Sequence, residues 1–203
     1  MIFSKQNFQV LRLPSLRFGH TIYAYLELSS TQDKAKELSR TNAGEEIIIC
    51  AKTQTNGRGR GDKTWISEPG GLYISIIYCP KQPIIEVSDF TKRLALFTKQ
   101  AIERLVIPFH PINLEVKGIN DLYMNGKKLV GIIVETETYG ITKSTEFNRI
   151  NSYIIGIGVN VLQQYFPDEL KKTATSLLIE TKYRLSRFEI LKEICRELSR
   201  NLY

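Results

Sequence analysis

The sequence predicts an α+β domain built on a mixed, largely antiparallel sheet packed against helices. Apolar and polar residues alternate with the two-residue period of a strand over Thr21–Leu28, and again through Leu72, Ile74, Ile76 and Tyr78. Apolar residues recur at helical spacing at Phe90, Leu94, Phe97, Ala101 and Leu105. Asn125-Gly126, set between two apolar runs, is the signature of a tight antiparallel hairpin. Strands and helices therefore mix without strict βαβ alternation.

Each element follows from local chemistry. The first strand covers His20 to Leu28, with Ile22, Ala24, Leu26 and Leu28 opposite Thr21, Tyr23, Tyr25 and Glu27. Ser29-Ser30-Thr31 then offers an N-cap, and Asp33 falls in the first turn of a helix expected to run to about Arg40. Glu46–Thr53 is a short Ile-rich strand of the buried kind, and it leads straight into a Gly/Arg loop. Ser88 is the expected cap of the helix whose Phe90–Leu105 stripe is read as core. Leu122 to Tyr139 reads as a hairpin, its Asn125-Gly126 supplying the positive φ angles of a primed turn. Tyr153 to Val161 is an apolar strand carrying Gly156 and Gly158. Ser186 and Glu189 form a capping box for the last helix, with apolar positions Phe188, Leu191, Cys195, Leu198 and Leu202.

Composition bounds the function. The 203 residues fit one compact domain, and 42% hydrophobic with 24% charged residues is ordinary for a globular protein. Three scattered cysteines show no zinc spacing and favour a reducing compartment. Two histidines argue against a His-based triad or a His-rich metal site. No apolar run approaches the ~20 residues of a membrane span. Met1–Asn7 lacks the apolar core of a secretory signal. A cytoplasmic location with no membrane partner is the expectation. The net charge of +7 suits anionic ligands or partners, but it speaks of steering rather than fold.

Four clusters carry chemistry, and each has a plainer reading. Gln54-Thr-Asn-Gly57-Arg58-Gly59-Arg60-Gly61-Asp62-Lys63-Thr64-Trp65 is a poor recipe for regular structure. Its glycines let backbone N–H groups approach an anion, and its arginines supply forked donors for phosphate or carboxylate. The alternative is a basic surface loop that touches nucleic acid. Trp65 either stacks on a ring or serves as a half-buried anchor. Ser30-Thr31-Gln32 at a helix start is either simple capping or a hydrogen-bonding cluster for a small polar ligand. Asn120-Asp121 and Lys127-Lys128 fit turn and hairpin-tip chemistry. Yet the two lysines fall on opposite strand faces, so one can point inward over a floor thinned by Gly131. Gly156-Ile-Gly158-Val-Asn160 marks either a bulge or a close backbone approach to a ligand. No Rossmann fingerprint or Walker A sequence is present.

Taken in this order, Ser30-Thr31-Gln32, Gln54 with Gly57-Arg58-Gly59-Arg60 and Trp65, Asn120-Asp121 with Lys128-Leu-Val-Gly131, and Gly156-Ile-Gly158-Val-Asn160 closely resemble the catalytic domain of biotin–protein ligases. The resemblance runs from about Tyr23 to the final helix. It implies the fold shared by class II aminoacyl-tRNA synthetases and biotin synthetases. It also implies activation of biotin with ATP and Mg²⁺ to biotinyl-5′-AMP, then transfer to a lysine of a biotin carboxyl carrier domain. By similarity, Ser30, Thr31, Gln32 and Gln54 hold the ureido ring. Gly57, Arg58, Gly59 and Arg60 fold over the biotinyl-phosphate, and Lys128, above Gly131, contacts the carboxylate and α-phosphate. Asn120, Asp121 and Asn160 lie on the nucleotide and metal side, with Asp121 the candidate Mg²⁺ ligand and an aid to the attacking lysine. Trp65 is placed toward the adenine.

The chain departs from the family pattern at Gly118-Ile119, where Trp-Pro is usual, and the change is expected to loosen one pocket wall. Asp62-Lys63 replaces the usual Gly-Arg before the tryptophan. The expected organisation is a single catalytic domain over 1–203, without an N-terminal helix-turn-helix or a small C-terminal β domain. DNA is therefore not an expected partner, whereas a homodimer is among the states the family adopts. Competing readings are a lipoate or octanoate ligase of the same fold, or a basic nucleic-acid-binding domain without enzymatic activity.

Overall fold

A computed structural model of the chain describes residues 8–14, 18, 20–42, 44–138 and 150–203. Tyr139, the last residue of the expected hairpin, and Met1–Asn7 lie outside the described residues. Twelve elements follow in order: β1 (Phe8–Leu11), β2 (Thr21–Leu28), α1 (Thr31–Thr41), β3 (Ile47–Gln54), β4 (Leu72–Tyr78), α2 (Val87–Val106), β5 (Leu114–Lys117), β6 (Asp121–Met124), β7 (Lys127–Thr138), β8 (Ile150–Val159), α3 (Leu177–Thr181) and α4 (Arg187–Asn201). The strands form one sheet in the order β1-β2-β3-β4-β8-β7-β6-β5. Among the described residues only β2 and β3 pair as parallel strands, with α1 as the crossover, and every other neighbouring pair is antiparallel. The expected α+β class, with its mixed and mainly antiparallel sheet, is the observed one.

Strand periodicity sorts the sheet into two faces. Ile22, Ile48, Ile74, Ile76, Ile155 and Ile157 point to one side, where Phe90, Leu94 and Ile102 of α2 and Ile190, Ile194 and Leu198 of α4 close the main core. On the other side Ile47, Ile49, Ile77 and Ile154 form a smaller cluster with Ala35 of α1. Helix α1 covers only part of that second face, and the candidate site occupies the rest. Helix α2 carries the expected stripe but starts at Val87, one residue before Ser88, and its cap residue Glu86 makes no side-chain capping bond. Ser186 does cap α4, accepting from the Glu189 N–H. Phe188, one of the apolar positions noted for this helix, is 42% exposed, and Ile190 and Ile194 pack in the core. Among the described residues no helix is long and apolar enough to cross a membrane.

Two local features shape the second face. The β6–β7 turn has φ of 52° at Asn125 and 77° at Gly126, the primed geometry that Asn-Gly favours. Just beyond it the register slips. Tyr123 pairs with Lys128 but Leu122 pairs with Val130, so β7 holds one extra residue, Leu129. Leu129 and Val130 are consequently both fully buried in the main core, and Lys128 shares the opposite face with Gly131. The second feature is the absence of side chains. A Cβ built on Gly131 would lie 2.7 Å from Trp65 Cζ3, one on Gly158 2.6 Å from Trp65 Nε1, and one on Gly156 2.7 Å from Gln32 Oε1. The single tryptophan thus lies directly on the backbone of β7 and β8.

Gly158→Ala should displace Trp65 from this seat, because the clash is with a rigid ring. The intrinsic fluorescence of the protein should shift to the red, and an unchanged emission maximum would place Trp65 elsewhere.

Candidate active site

Helix α1 begins at Thr31 because Ser30, in extended backbone, accepts from the N–H groups of Gln32 and Asp33 through its hydroxyl. That geometry turns the first residues of the helix toward the glycine-lined sheet. Gln54, at the end of β3, reaches across so that its Oε1 accepts from the Thr31 N–H at 2.7 Å and from Thr31 Oγ1 at 3.0 Å. Gln32 donates through Nε2 to the Ile154 carbonyl at 2.9 Å. Ser75 of β4, fully buried, has its Oγ 2.9 Å from both Thr31 Oγ1 and Gln32 Oε1. A polar end made of Ser30, Thr31, Gln32, Gln54 and Ser75 is thereby locked into one arrangement with nearly every group paired. Ser75 is a site residue that pattern reading missed. Its signal was a lone hydroxyl in the otherwise apolar run Leu72–Tyr78, since such a group must find a buried partner.

The Gly/Arg segment closes over this end as a small hairpin. The Trp65 N–H donates to the Gly57 carbonyl at 2.9 Å and the Gly59 N–H to the Lys63 carbonyl at 2.7 Å. Its first limb is tied down by bonds from the Thr55 N–H to the Leu28 carbonyl and from the Asn56 N–H to the Ser29 carbonyl. Gly57 does not line the cavity. It is buried under the hairpin, where a Cβ would come within 2.3 Å of the Trp65 carbonyl oxygen, so its role is to let the strands of the loop close.

The cavity beneath the hairpin holds about 130 Å³ and is walled by Thr31, Gln32, Gln54, Ser75, Gly131, Gly156 and Gly158, with Arg58, Gly59 and Arg60 above. A second cavity of about 280 Å³ adjoins it, lined by Tyr123, Asn160, Gln163, Tyr165, Phe166 and Leu170 among others. The two share Lys63, Thr64, Trp65, Asp121 and Lys128. Trp65 therefore stands between the cavities rather than on one side only. Its buried Nε1 has no hydrogen-bond partner among the described residues.

Lys128 reaches this junction through the register slip, and its backbone pairs with the segment after Leu170. Its N–H donates to the Thr173 carbonyl at 2.7 Å, and its carbonyl accepts from the Thr175 N–H at 3.0 Å. The ammonium sits 2.8 Å from Asp121 Oδ2 and 5.5 Å from the centre of the Trp65 ring. Asp121 Oδ1 is buried and has no hydrogen-bond partner among the described residues. Asn120 serves the framework more than the cavity, donating through Nδ2 to the Ile132 carbonyl at 3.0 Å. Asn160 lines only the second cavity, where its Oδ1 accepts from Gln163 Nε2 at 3.2 Å. Gln163 Nε2 also contacts the Tyr73 hydroxyl, which donates to the Glu68 carbonyl at 2.6 Å. Burial pushes the Tyr73 phenol well above its usual range, so it stays a neutral donor.

The two arginines separate. Arg58 donates to Asp33 at 2.6 Å and to Glu135 at 2.8 Å, and the bond to Asp33 above all raises its pKa further. Its guanidinium is thus engaged by two carboxylates while the residue still borders the cavity. The Arg60 side chain is exposed and forms no hydrogen bond or ion pair among the described residues. Gly118 sits in a turn at φ of 64° with open space around a built Cβ, and neither Gly118 nor Ile119 lines either of the two cavities above. The turn needs a positive φ there, and it lies outside the pocket wall.

Comparison with known proteins agrees with this architecture. Residues 24–160 match the model of the Biotin/lipoate A/B protein ligase family. The chain is 39% identical over 190 residues to the "Bifunctional ligase/repressor BirA" of Bacillus subtilis (strain 168), covering 88% of this chain and 55% of that protein. It is 30% identical over 149 residues to "Biotin--protein ligase 1, chloroplastic" of Arabidopsis thaliana, covering 71% and 37%. The chain therefore spans about half, or less, of the length of these relatives. Among solved structures, the biotin protein ligase from Aquifex aeolicus in complex with biotin and ATP superposes with a TM-score of 0.74 at 31% identity, over 89% of this chain and 69% of that one. With the family match extending from β2 past the end of β8 and taking in all four clusters, this chain belongs to the biotin/lipoate A/B protein ligase family.

Proposed function

We propose that the protein activates biotin with ATP, forming biotinyl-5′-AMP and pyrophosphate, and then passes biotin to a lysine of a biotin carboxyl carrier domain in a biotin-dependent carboxylase. One observation carries this reading: a polar end with nearly every group paired and a lysine–carboxylate pair line one glycine-floored cavity, beneath a lid bearing an arginine that has no ion-pair partner among the described residues. A fused ureido ring offers rigid donors and acceptors, and the groups around Thr31, Gln32 and Gln54 converge where such a ring would end. The acid's carboxylate would then lie toward Lys128, with the nucleotide in the cavity beyond Trp65. Adenylation joins a carboxylate oxygen to the α-phosphorus as pyrophosphate leaves. Lys128 offsets the negative charge that gathers there.

Transfer needs no nucleophile from the protein. The carrier's amine attacks the acyl carbon and AMP departs, provided the mixed anhydride is kept from water until then. Arg60 and the backbone N–H groups of the lid serve that protection. The free Oδ1 of Asp121 suits the incoming ammonium or the Mg²⁺ that accompanies ATP. Among the described residues no group of three or more His, Cys, Asp or Glu is placed to hold a metal. Mg²⁺ would therefore rest chiefly on the phosphates, with Asp121 as its protein carboxylate. The free cysteines fit a reducing compartment, and we place the reaction in the cytoplasm.

Biotin-dependent exchange of pyrophosphate into ATP should be observed, and exchange with lipoate but not biotin would overturn the choice of acid. Lys128→Ala should lower the exchange rate by roughly 10²-fold, the scale for removing one group that stabilises developing charge. An unchanged rate would move that role to another residue. Arg60→Ala should form the adenylate but release it, so that bystander lysines on unrelated proteins become biotinylated. Retention equal to the parent's would remove Arg60 from the lid's function.

A further inference from the structure

Six charged residues alternate in sign along the outer face between α1 and β7. Arg40 pairs with Glu137 at 3.0 Å, and Lys36 lies 3.9 Å from Glu137 and 2.7 Å from Glu135. Arg58 then completes the row, 2.8 Å from Glu135 and 2.6 Å from Asp33. The spacing is what the elements impose. Lys36 and Arg40 are one helical turn apart, and Glu135 and Glu137 share one face of the strand. Five of the six belong to the rigid scaffold. Arg58 alone comes from the Gly/Arg hairpin, and it forms the only ion pairs between that hairpin and α1 or β7 among the described residues.

Its position matters because α1 and β7 both form part of the cavity wall. Helix α1 contributes Thr31 and Gln32, while β7 contributes Lys128 and Gly131. A guanidinium is suited to this post, since its planar fork can satisfy two carboxylates on different elements at once. Neither Asp33 nor Glu135 lines the cavity, so their bonds to Arg58 act on the lid and not on a ligand.

We propose that Arg58 is the latch of the Gly/Arg hairpin, a positioning residue that holds the lid across both cavity walls by bridging Asp33 and Glu135, and so leaves Arg60 as the arginine that meets the ligand. The part of this inference that concerns the acyl-adenylate rests on the proposed function. The latch itself does not. Side-chain exposures of 37% for Arg58, 46% for Asp33 and 25% for Glu135 make each contact partly screened, so the bridge acts through the pair. Losing Glu135 has a second effect, because Lys36 then faces Arg58 with less negative charge between them.

The test compares the parent chain with Asp33→Asn, Glu135→Gln, their combination, and Arg58→Gln, which leaves the Lys36–Glu135 and Arg40–Glu137 pairs in place. Two readouts are taken: hydrogen exchange of the backbone amides of residues 55–65 in the protein alone, and the release rate of synthetic biotinyl-5′-AMP followed through Trp65 fluorescence. The combined variant and Arg58→Gln should both exchange faster in the hairpin and release the adenylate roughly tenfold faster. Raising salt to about 1 M, where the Debye length is ~3 Å, should speed release from the parent by a larger factor than from the combined variant, which keeps only the contacts of Lys128 and Arg60 to the adenylate. A role confined to general stability would not produce that salt difference. If the parent binds the adenylate and all variants exchange and release as it does, the latch is wrong. If the parent binds no adenylate yet hairpin exchange still rises in the variants, the latch stands and the proposed function falls.

Discussion

The pocket depends on one constraint, the removal of side chains from one face of two adjacent central strands. Gly131 on β7 lies opposite Gly158 on β8, and Gly156 follows two residues before it. A sheet normally holds packing partners at side-chain distance, about 10 Å for a second sheet. Here Trp65 and Gln32 rest on backbone, within distances that any Cβ would violate. The entropy lost in ordering three glycines inside strands is a real cost. It is met by burial of the same strands on their other face, where Ile155, Ile157, Val130 and Ile132 pack against α2 and α4.

The register slip between β6 and β7 supplies what the glycines cannot, a charge at the edge of the hollow. Strict alternation from Gly131 would send Lys128 to the opposite face, into the α2 side of the sheet, where an ammonium would be costly to bury. One extra residue reverses its direction and leaves Leu129 and Val130 together in the core. The gap in ladder hydrogen bonding is filled by residues 173–175. That segment carries the wall of the second cavity, so one bulge places the lysine and docks the neighbouring pocket.

Charge in the site is distributed by pairing. Lys128 has Asp121, and Arg58 has Asp33 and Glu135, while the polar end around Thr31 is closed by its own hydrogen bonds. Arg60 is left with its guanidinium exposed on the lid. The overall charge of +7 says little about this arrangement, because the local partners and not the surplus decide which cation is available. The proposed chemistry follows the same division. Held groups orient the acid and the uncommitted arginine shields the anhydride.

Local chemistry was readable directly from the chain. The Ser30 cap, the Asn125-Gly126 turn, the α2 stripe and the α+β class all follow from interactions within a few residues, which a linear pattern records. The four clusters were also legible, because a lid, a polar helix start, a hairpin lysine and a glycine strand each carry unusual residue types. Ser75 escaped notice because one hydroxyl has no meaning until β4 is placed beside α1. The engagement of Arg58, the inward turn of Lys128 and the position of Gly118 outside the wall were likewise decided only by tertiary structure. Each depends on a partner distant in sequence or on a register shift of one residue. By itself the sequence determined which residue types the site contains and how its helices and turns begin. The folded sheet decided which of them face the cavity and which are held by one another, because facing and pairing are properties of neighbours across strands.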